Sequence, residues 1–311
     1  MIDQSQWIRA QRPAKTPVSA DLAYGVFIDE ERDPDGALRP YLIVLLSNRE
    51  CPFTCLMCDL WKNTLDSTSR PEDIITQIDR ALAANPQARG IKIYNAGSMF
   101  DVRAVPESAL EIVADRIAGL GPVIVESHPA FIGASAKAFN EKLGGTLQVA
   151  IGLETVHEPT LASLNKQMTL DDFDHGVTYL HDRGIASRAF ILVRPPGQSE
   201  IEGVEWALRS LEHAARLKIE CAVLIPTRLG NGALDVLARA GKFEQPRLIS
   251  LETVLRVGLE SYPGRVFADL WDLETFVRCA ACDPVRINNL REMNRTGRPV
   301  PPTPCYQCLT P

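Results

Sequence analysis

The sequence predicts an α/β fold: a partial (β/α)6 TIM-like barrel followed by a small C-terminal cysteine-rich metal-binding module. Three observations carry this. Short apolar runs alternate with helix-period stretches, the runs are continuously apolar, and the last four cysteines form two CxxC pairs. Continuous apolarity suits parallel strands covered on both faces, because neither face meets water. The runs are 41–47, 90–96, 122–126, 147–153, 186–193 and 220–225, with a further one at 265–270. Periodicity does not separate a curled sheet from an open doubly wound one, so the open sheet stands as the second architecture.

Helical patterns fill the gaps at 71–84, 107–120, 134–142, 170–183, 201–218 and 250–261. Pro71, with Glu72 and Asp73 behind it, suits a first helical turn, where proline's missing N–H costs nothing and carboxylates meet the positive end of the dipole. Thr169 and Asp172 have capping-box spacing, and Gly184 is placed to stop the helix before it. Residues 1–39 are polar and rich in Asp, Arg and Pro, and read as a partly irregular lead-in. The barrel core is expected over 40–262 and the cysteine-rich module over 263–311.

The chain has 311 residues, 45% hydrophobic and 23% charged, which excludes disordered, collagenous and coiled-coil classes. Lys and Arg total 33 against 39 for Asp and Glu, a net charge of -6 that argues against a general nucleic-acid or acidic-membrane binder. The longest apolar run, 41–46, is too short to span a bilayer, and the N-terminus lacks an apolar signal core. A cytoplasmic protein without a membrane partner is expected.

The eight cysteines are Cys51, Cys55, Cys58, Cys221, Cys279, Cys282, Cys305 and Cys308. In a reducing compartment such clustering points to metal rather than disulfides. Cys51, Cys55 and Cys58, spaced C-x3-C-x2-C, follow the first apolar run directly. Three thiolates on one loop suit three irons of a 4Fe–4S cube and leave the fourth iron free to bind a substrate, whereas a structural cluster takes four. The loops after barrel strands form the face where active sites collect. A zinc site that borrows its fourth ligand is the alternative.

This motif resembles that of the radical S-adenosylmethionine superfamily. The resemblance implies a 4Fe–4S cluster that chelates S-adenosylmethionine, whose reductive cleavage gives a 5′-deoxyadenosyl radical that abstracts hydrogen from a substrate. It implies oxygen sensitivity too. Met57 stands before the third cysteine, where the superfamily often has an aromatic residue, and Trp61 lies one helical turn on. The segment 94–101 resembles the glycine-rich amine-binding turn in the Gly-Ser form of the elongator catalytic subunit. Together with 125–129, 152–155, 193–196 and Leu164-Asn165-Lys166, the order resembles the radical enzyme of archaeosine synthesis, which acts on a modified base in tRNA. The resemblance covers roughly 40–255.

It implies cofactor roles for particular residues. Gly97 would let the backbone approach the methionyl group, and Ser98 would offer a hydroxyl. Glu154 would accept from the ribose diol, with Glu126 and Ser127 as rivals. Arg188 and Arg194 would pair with the methionyl carboxylate or an acidic substrate, or neutralise Glu154. His128 would reach the substrate as the catalytic candidate. No role is expected of His157, His175, His181 or His213, and Cys221 reads as a small buried hydrophobe.

The second group is Cys279-x2-Cys282, then twenty-two residues, then Cys305-x2-Cys308. Four thiolates suit tetrahedral zinc or a second, complete 4Fe–4S cluster. The gap slightly exceeds the usual zinc-ribbon range, and Asp283 and Leu309 stand where zinc knuckles carry glycine. Pro301, Pro302 and Pro304 stiffen the return of the chain.

Two functions compete. The first is a radical enzyme acting on a small molecule or a modified nucleobase in tRNA, fed by a flavodoxin- or ferredoxin-type donor, with a partner protein supplying the RNA if RNA is the substrate. The second is a zinc-stabilised protein that docks nucleic acid or protein on its tail, without radical chemistry.

Overall fold

The computed structural model describes residues 3–308; Leu309 and the rest of the tail lie outside the described residues. One sheet of eight strands runs in chain order: β1 (Gly25–Arg32), β2 (Leu38–Leu46), β3 (Gly90–Asn95), β4 (Val123–Glu126), β5 (Leu147–Glu154), β6 (Ala186–Val193), β7 (Cys221–Pro226) and β8 (Arg265–Ala268). The helices are α1 (Gln4–Gln11), α2 (Pro71–Ala84), α3 (Glu107–Ile117), α4 (Ala134–Lys142), α5 (Glu158–Ser163), α6 (Leu170–His181), α7 (Glu200–Arg216), α8 (Ala233–Arg239), α9 (Leu248–Ser261) and α10 (Asp283–Thr296). Strands β2 to β8 pair in parallel and curl into a half-barrel, as expected. The capping box of Thr169 with Asp172 forms, and Gly184 follows helix α6 with φ +66°.

Two expectations need correction. The segment 1–39 holds helix α1 and strand β1, which pairs antiparallel with β2 from Gly25↔Leu45 to Arg32↔Leu38. Its sequence, GVFIDEER, reads as polar because the strand lies at the sheet edge and turns Glu31 onto the barrel floor. The further run at 265–270 forms the seventh parallel strand. Strand β8 pairs with β7 and belongs to the sheet, so the cysteine-rich module starts beyond it rather than at 263.

Apolar layers follow from the strand patterns. Leu42, Val44, Ile91, Ile93, Val123 and Val125 turn outward into a continuous core with the helices. Helix α2 adds Ile74 and Ile78, both fully buried, each contributing about 1.5–3 kcal/mol by leaving water. Inside the barrel, Tyr41, Ile43, Ile124 and Ala150 pack with Phe27, Leu45, Tyr94 and Phe190. Below them lies a charged floor. Glu31 meets Arg188, Lys92 at 2.7 Å and Arg265 at 3.2 Å, while Arg188 also donates to Gln148 at 3.0 Å. Helix α10 packs against α9, β8 and β1, covering the open side of the sheet. Among the described residues no helix is long and apolar enough to cross a membrane.

Candidate functional site

The site lies at the C-terminal ends of β2 to β5. The exit of β2 is fixed by Gln77 of α2, whose side chain accepts from the N–H of Ser47 at 2.9 Å and donates to its carbonyl at 2.9 Å. The chain then makes the loop bearing Cys51, Cys55 and Cys58 and closes on itself where Leu65 bonds Asn48 at 2.9 Å. The loop backbone is held from outside by distant segments. Asn165 donates to the carbonyl of Thr54 at 2.7 Å, Asn231 to that of Leu56 at 2.7 Å, and the Trp61 indole to that of Cys58 at 3.1 Å. The Leu56 N–H reaches Leu164 at 2.8 Å. Leu56 and Met57 pack into an apolar cluster with Ile8 of α1 and Ala233 and Leu234 of α8. Met57 therefore anchors the loop.

Polar backbone is spent on the clamp, which leaves the thiols for ligands. Backbone N–H groups of Phe53 and Leu60 stand against the sulfurs of Cys51 and Cys58. Burial pushes all three thiols up to about 12, with the Lys166 ammonium opposing the rise at Cys51 and Cys55. As bare side chains they stay protonated, so metal binding must release protons. Among the described residues only the four C-terminal cysteines bring three or more ligand atoms within 4.8 Å of one another. The three sulfurs of the triad are not gathered in that way.

Beside this loop runs the turn after β3. Gly97 adopts φ +154°, a region L side chains rarely enter, and a Cβ there would stand 3.5 Å from that of Cys51. The glycine is thus required by its torsion and brings the turn into contact with the cluster loop. Asn95 is buried, and neither Nδ2 nor Oδ1 has a hydrogen-bond partner. Its N–H donates to Glu126 at 2.6 Å. Burial pushes the Glu126 carboxyl up to about 8, against the Asn95 N–H and Lys166, so it is mostly protonated at neutral pH. Three thiols, a glycine turn beside Cys51 and an orphaned buried amide fit a three-thiolate cluster with a polar ligand next to it.

Several expected roles change. The Ser98 hydroxyl accepts the N–H of His128 at 2.8 Å, and Ser127 donates to the His128 carbonyl at 3.1 Å, so both hydroxyls are engaged within the turn. His128 has no free nitrogen. Nδ1 accepts from Ala130 at 3.2 Å, so Nε2 carries the proton and donates to the Lys166 carbonyl at 3.1 Å. Burial and the nearby Lys166 ammonium lower its pKa to about 4, keeping it neutral. Its ring stacks on Phe53 of the cysteine loop, with centroids 4.0 Å apart. In this structure His128 braces the cysteine loop.

Glu154 stays at the end of β5 with φ +63°, where the pairing with β6 shifts register. Its partner is Lys166, not an arginine. A Cβ on Gly152 would stand 2.1 Å from both Glu154 Oε1 and Lys166 Nζ, so only glycine leaves room for this pair. Arg188 lies on the barrel floor, engaged by Glu31, because it sits near the start of β6 and faces inward there. Arg194 turns away to Glu200 at 2.7 Å, Glu244 at 3.0 Å and the Gln245 carbonyl at 2.9 Å. Neither arginine faces the cysteine loop. Cys221 is buried in β7 as expected.

Sequence reasoning assigned no role to Lys166, Asn165, Asn95 or Phe53. Lys166 and Asn165 follow the short helix α5; Leu164-Asn165-Lys166 contributed to the resemblance, but their bonds to Glu154 and Thr54 are made only by folding. The four C-terminal cysteines come together at the head of α10 and could bind a metal.

No family model matches the chain. Its curated relatives include an uncharacterized protein of Methanocaldococcus jannaschii, 21% identical over 76% of this chain and 70% of that one. Two proteins named archaeosine synthase subunit beta also match. The one from Methanosarcina acetivorans is 23% identical, over 67% of this chain and 63% of its own length; the one from Thermococcus kodakarensis is 26% identical, over 69% of each. The chain thus spans less than two thirds of the Methanosarcina protein. Methylornithine synthase superposes with a TM-score of 0.55 at 14% identity, covering 85% of this chain and 73% of that one. Coproporphyrinogen III oxidase from Escherichia coli, described as a radical S-adenosylmethionine enzyme, gives 0.50 at 11% identity over 74% and 53%. The fold of this chain is the one these radical S-adenosylmethionine enzymes share.

Proposed function

We propose that the chain is a radical S-adenosylmethionine enzyme whose 4Fe–4S cluster is held by Cys51, Cys55 and Cys58. The observation that carries this reading is the cysteine loop itself: backbone clamped from remote segments, thiols left free, and an orphaned Asn95 amide beside the Gly97 turn. Held by Cys51, Cys55 and Cys58, such a cluster would supply the single electron that breaks the C5′–S bond of S-adenosylmethionine, giving methionine and a 5′-deoxyadenosyl radical able to take a hydrogen atom from a substrate. The chain's own residues bind and orient. Lys166 and Glu154 form a buried pair at the mouth; the ammonium suits a methionyl carboxylate and the carboxylate suits a ribose diol. Protonated Glu126 and the Asn95 amide offer a donor and acceptor set, while His128 and Phe53 hold the loop still.

For the substrate we favour a modified nucleobase in RNA, supported by the two relatives named for archaeosine synthesis. That those relatives are called subunits supports a partner protein that holds the RNA, in keeping with a net charge of -6 on this chain. A flavodoxin or ferredoxin is the electron donor in this reading. The alternative of two structural zinc sites asks for a single ion at the triad, whose sulfurs are not gathered within 4.8 Å of one another as the C-terminal four are.

The test is anaerobic reconstitution with iron and sulfide, followed by dithionite and S-adenosylmethionine. The expected product is 5′-deoxyadenosine; none from a chain carrying a full cluster would end this reading.

A further inference from the structure

The C-terminal cysteines differ from the triad in the spacing of their sulfurs. Cys279 and Cys305 sulfurs lie 3.8 Å apart, those of Cys282 and Cys308 lie 3.6 Å apart, and all four fall within 4.8 Å of one another. A disulfide needs about 2.05 Å, so neither pair is bonded. Four ligands around one ion with zinc–sulfur bonds of about 2.3 Å form a tetrahedron with edges of about 3.8 Å. Sulfurs on four different irons of a cube are separated by the cube as well as by their own bonds, and do not fit so small a sphere.

The surroundings suit the charge of such a site. Cys282 caps the N-terminus of α10, where the helix dipole favours an anionic sulfur. Arg286, one turn on and buried, stands against the Cys282 thiol, and its Nε makes no hydrogen bond. The Asp283 carboxylate accepts the N–H groups of Arg278 and Cys279, each at 2.8 Å, which fixes the first CxxC turn. Helix α10 does not depend on a metal for packing, since Ile287, Leu290 and Met293 bury against the barrel. The returning segment 298–308 has less to hold it: none of its residues is fully buried, and Val300 is its one apolar contact with the core. Polar ties also gather at Thr303, which receives Arg286 and Asn289 at 2.8 Å each and bonds Glu252 of α9 at 3.0 Å.

We infer that Cys279, Cys282, Cys305 and Cys308 bind one tetrahedral zinc ion, and that this ion fastens the C-terminal return to the head of α10. Thiolates select soft and borderline metals, and zinc outcompetes ferrous iron for a single-ion site. The fastened head also lies at the barrel rim, because Arg278 beside it donates to the Gln245 carbonyl at 2.7 Å, the same carbonyl that Arg194 reaches. The ion has no part in S-adenosylmethionine cleavage, so its test stands apart from the proposed reaction.

The test is metal analysis of the full chain after anaerobic purification and cluster assembly. One zinc per chain is expected, kept in Cys55→Ala, where the triad's iron is lost, and lost in Cys282→Ser, where that iron remains. Where Cys282→Ser unfolds the tail, cobalt(II) added to the metal-stripped, unsubstituted chain decides alone. It should give the intense visible absorption of tetrahedral thiolate coordination, saturating at one equivalent and displaced by zinc. Doubled iron and sulfide without zinc, a single rubredoxin-like iron, or cobalt bound weakly with a pale octahedral spectrum each overturns the assignment. Protease cleavage within 298–304 should quicken several-fold when zinc is chelated; an unchanged rate overturns the fastening role.

Discussion

The floor and the mouth of the barrel hold the same kinds of side chain in opposite states of completion. On the floor, Glu31 is shared among Arg188, Lys92 and Arg265, and Arg188 spends its remaining donor on Gln148. Burial alone would raise the Glu31 carboxyl, yet Arg188 and Lys92 hold it well below the usual carboxylate range. At the mouth, Glu126 receives one backbone N–H and no cation, Asn95 has an idle amide, and three thiols face no metal-sized gathering of ligands. The lesson is that burial of polar groups does not by itself mark a site. A satisfied network is architecture, while an unsatisfied one beside a glycine turn is a place for something else to bind.

Substitutions at the two ends test that contrast. The largest effect is expected for Cys55→Ala at the mouth: loss of cluster absorbance and of 5′-deoxyadenosine, with melting temperature little changed. Next is Arg188→Ala on the floor, which strips Glu31 of its best partner and should cost about 3 kcal/mol in chemical denaturation. Its 5′-deoxyadenosine yield per assembled cluster should match the parent; a selective loss of yield would move Arg188 back among the cofactor residues.

Glu126 gives a pH signature. Its folded pKa, about 8, stands above its ordinary value of 4.5, so the folded chain keeps a proton that the unfolded chain releases. Its contribution to stability is full below about 4.5 and drains away as pH rises towards about 8, on the order of a few kcal/mol at most. Glu126→Gln should flatten that slope, stabilising the metal-free chain more at pH 8 than at pH 5. Equal effects at both would show that the carboxyl is not held protonated. The smallest effect is expected for Asn165→Gly. Asn165 has φ +53°, so glycine keeps the backbone and removes the side-chain clamp on Thr54 together with the bond to Ser5 of α1. A loss of about 1 kcal/mol and lower cluster occupancy should follow; unchanged occupancy would show that the clamp is redundant.

The same contrast explains what the sequence discloses. Strands covered on both faces must be apolar throughout, so β2 to β8 stand out in the chain, and the thiols clustered at C-x3-C-x2-C stand out by spacing alone. Strand β1 is hidden because its edge position and its share of the charged floor make it look like a polar leader. Arg188 and Arg194 are misleading for a related reason. A guanidinium near a strand looks available until its partner is known, and Glu31 lies 157 residues from Arg188. His128 looks catalytic for its type and place, yet both nitrogens are taken by backbone groups that no pattern reveals. Lys166 and Asn165 act only through neighbours brought by folding, and their left-handed company, Asn165 and Gln167, leaves no trace in composition.

The hydrogen bond from Asn231 to Leu56 spans 175 positions, and the apolar seat of Leu56 includes Leu234 and Phe243. During synthesis, then, the first cysteines leave the ribosome long before the segment that shapes them. Until residue 243 has emerged, the loop lacks both its Asn231 tie and its apolar seat. In the proposed reading, translation that stalls before α8 should therefore yield polypeptides that iron–sulfur carriers cannot load.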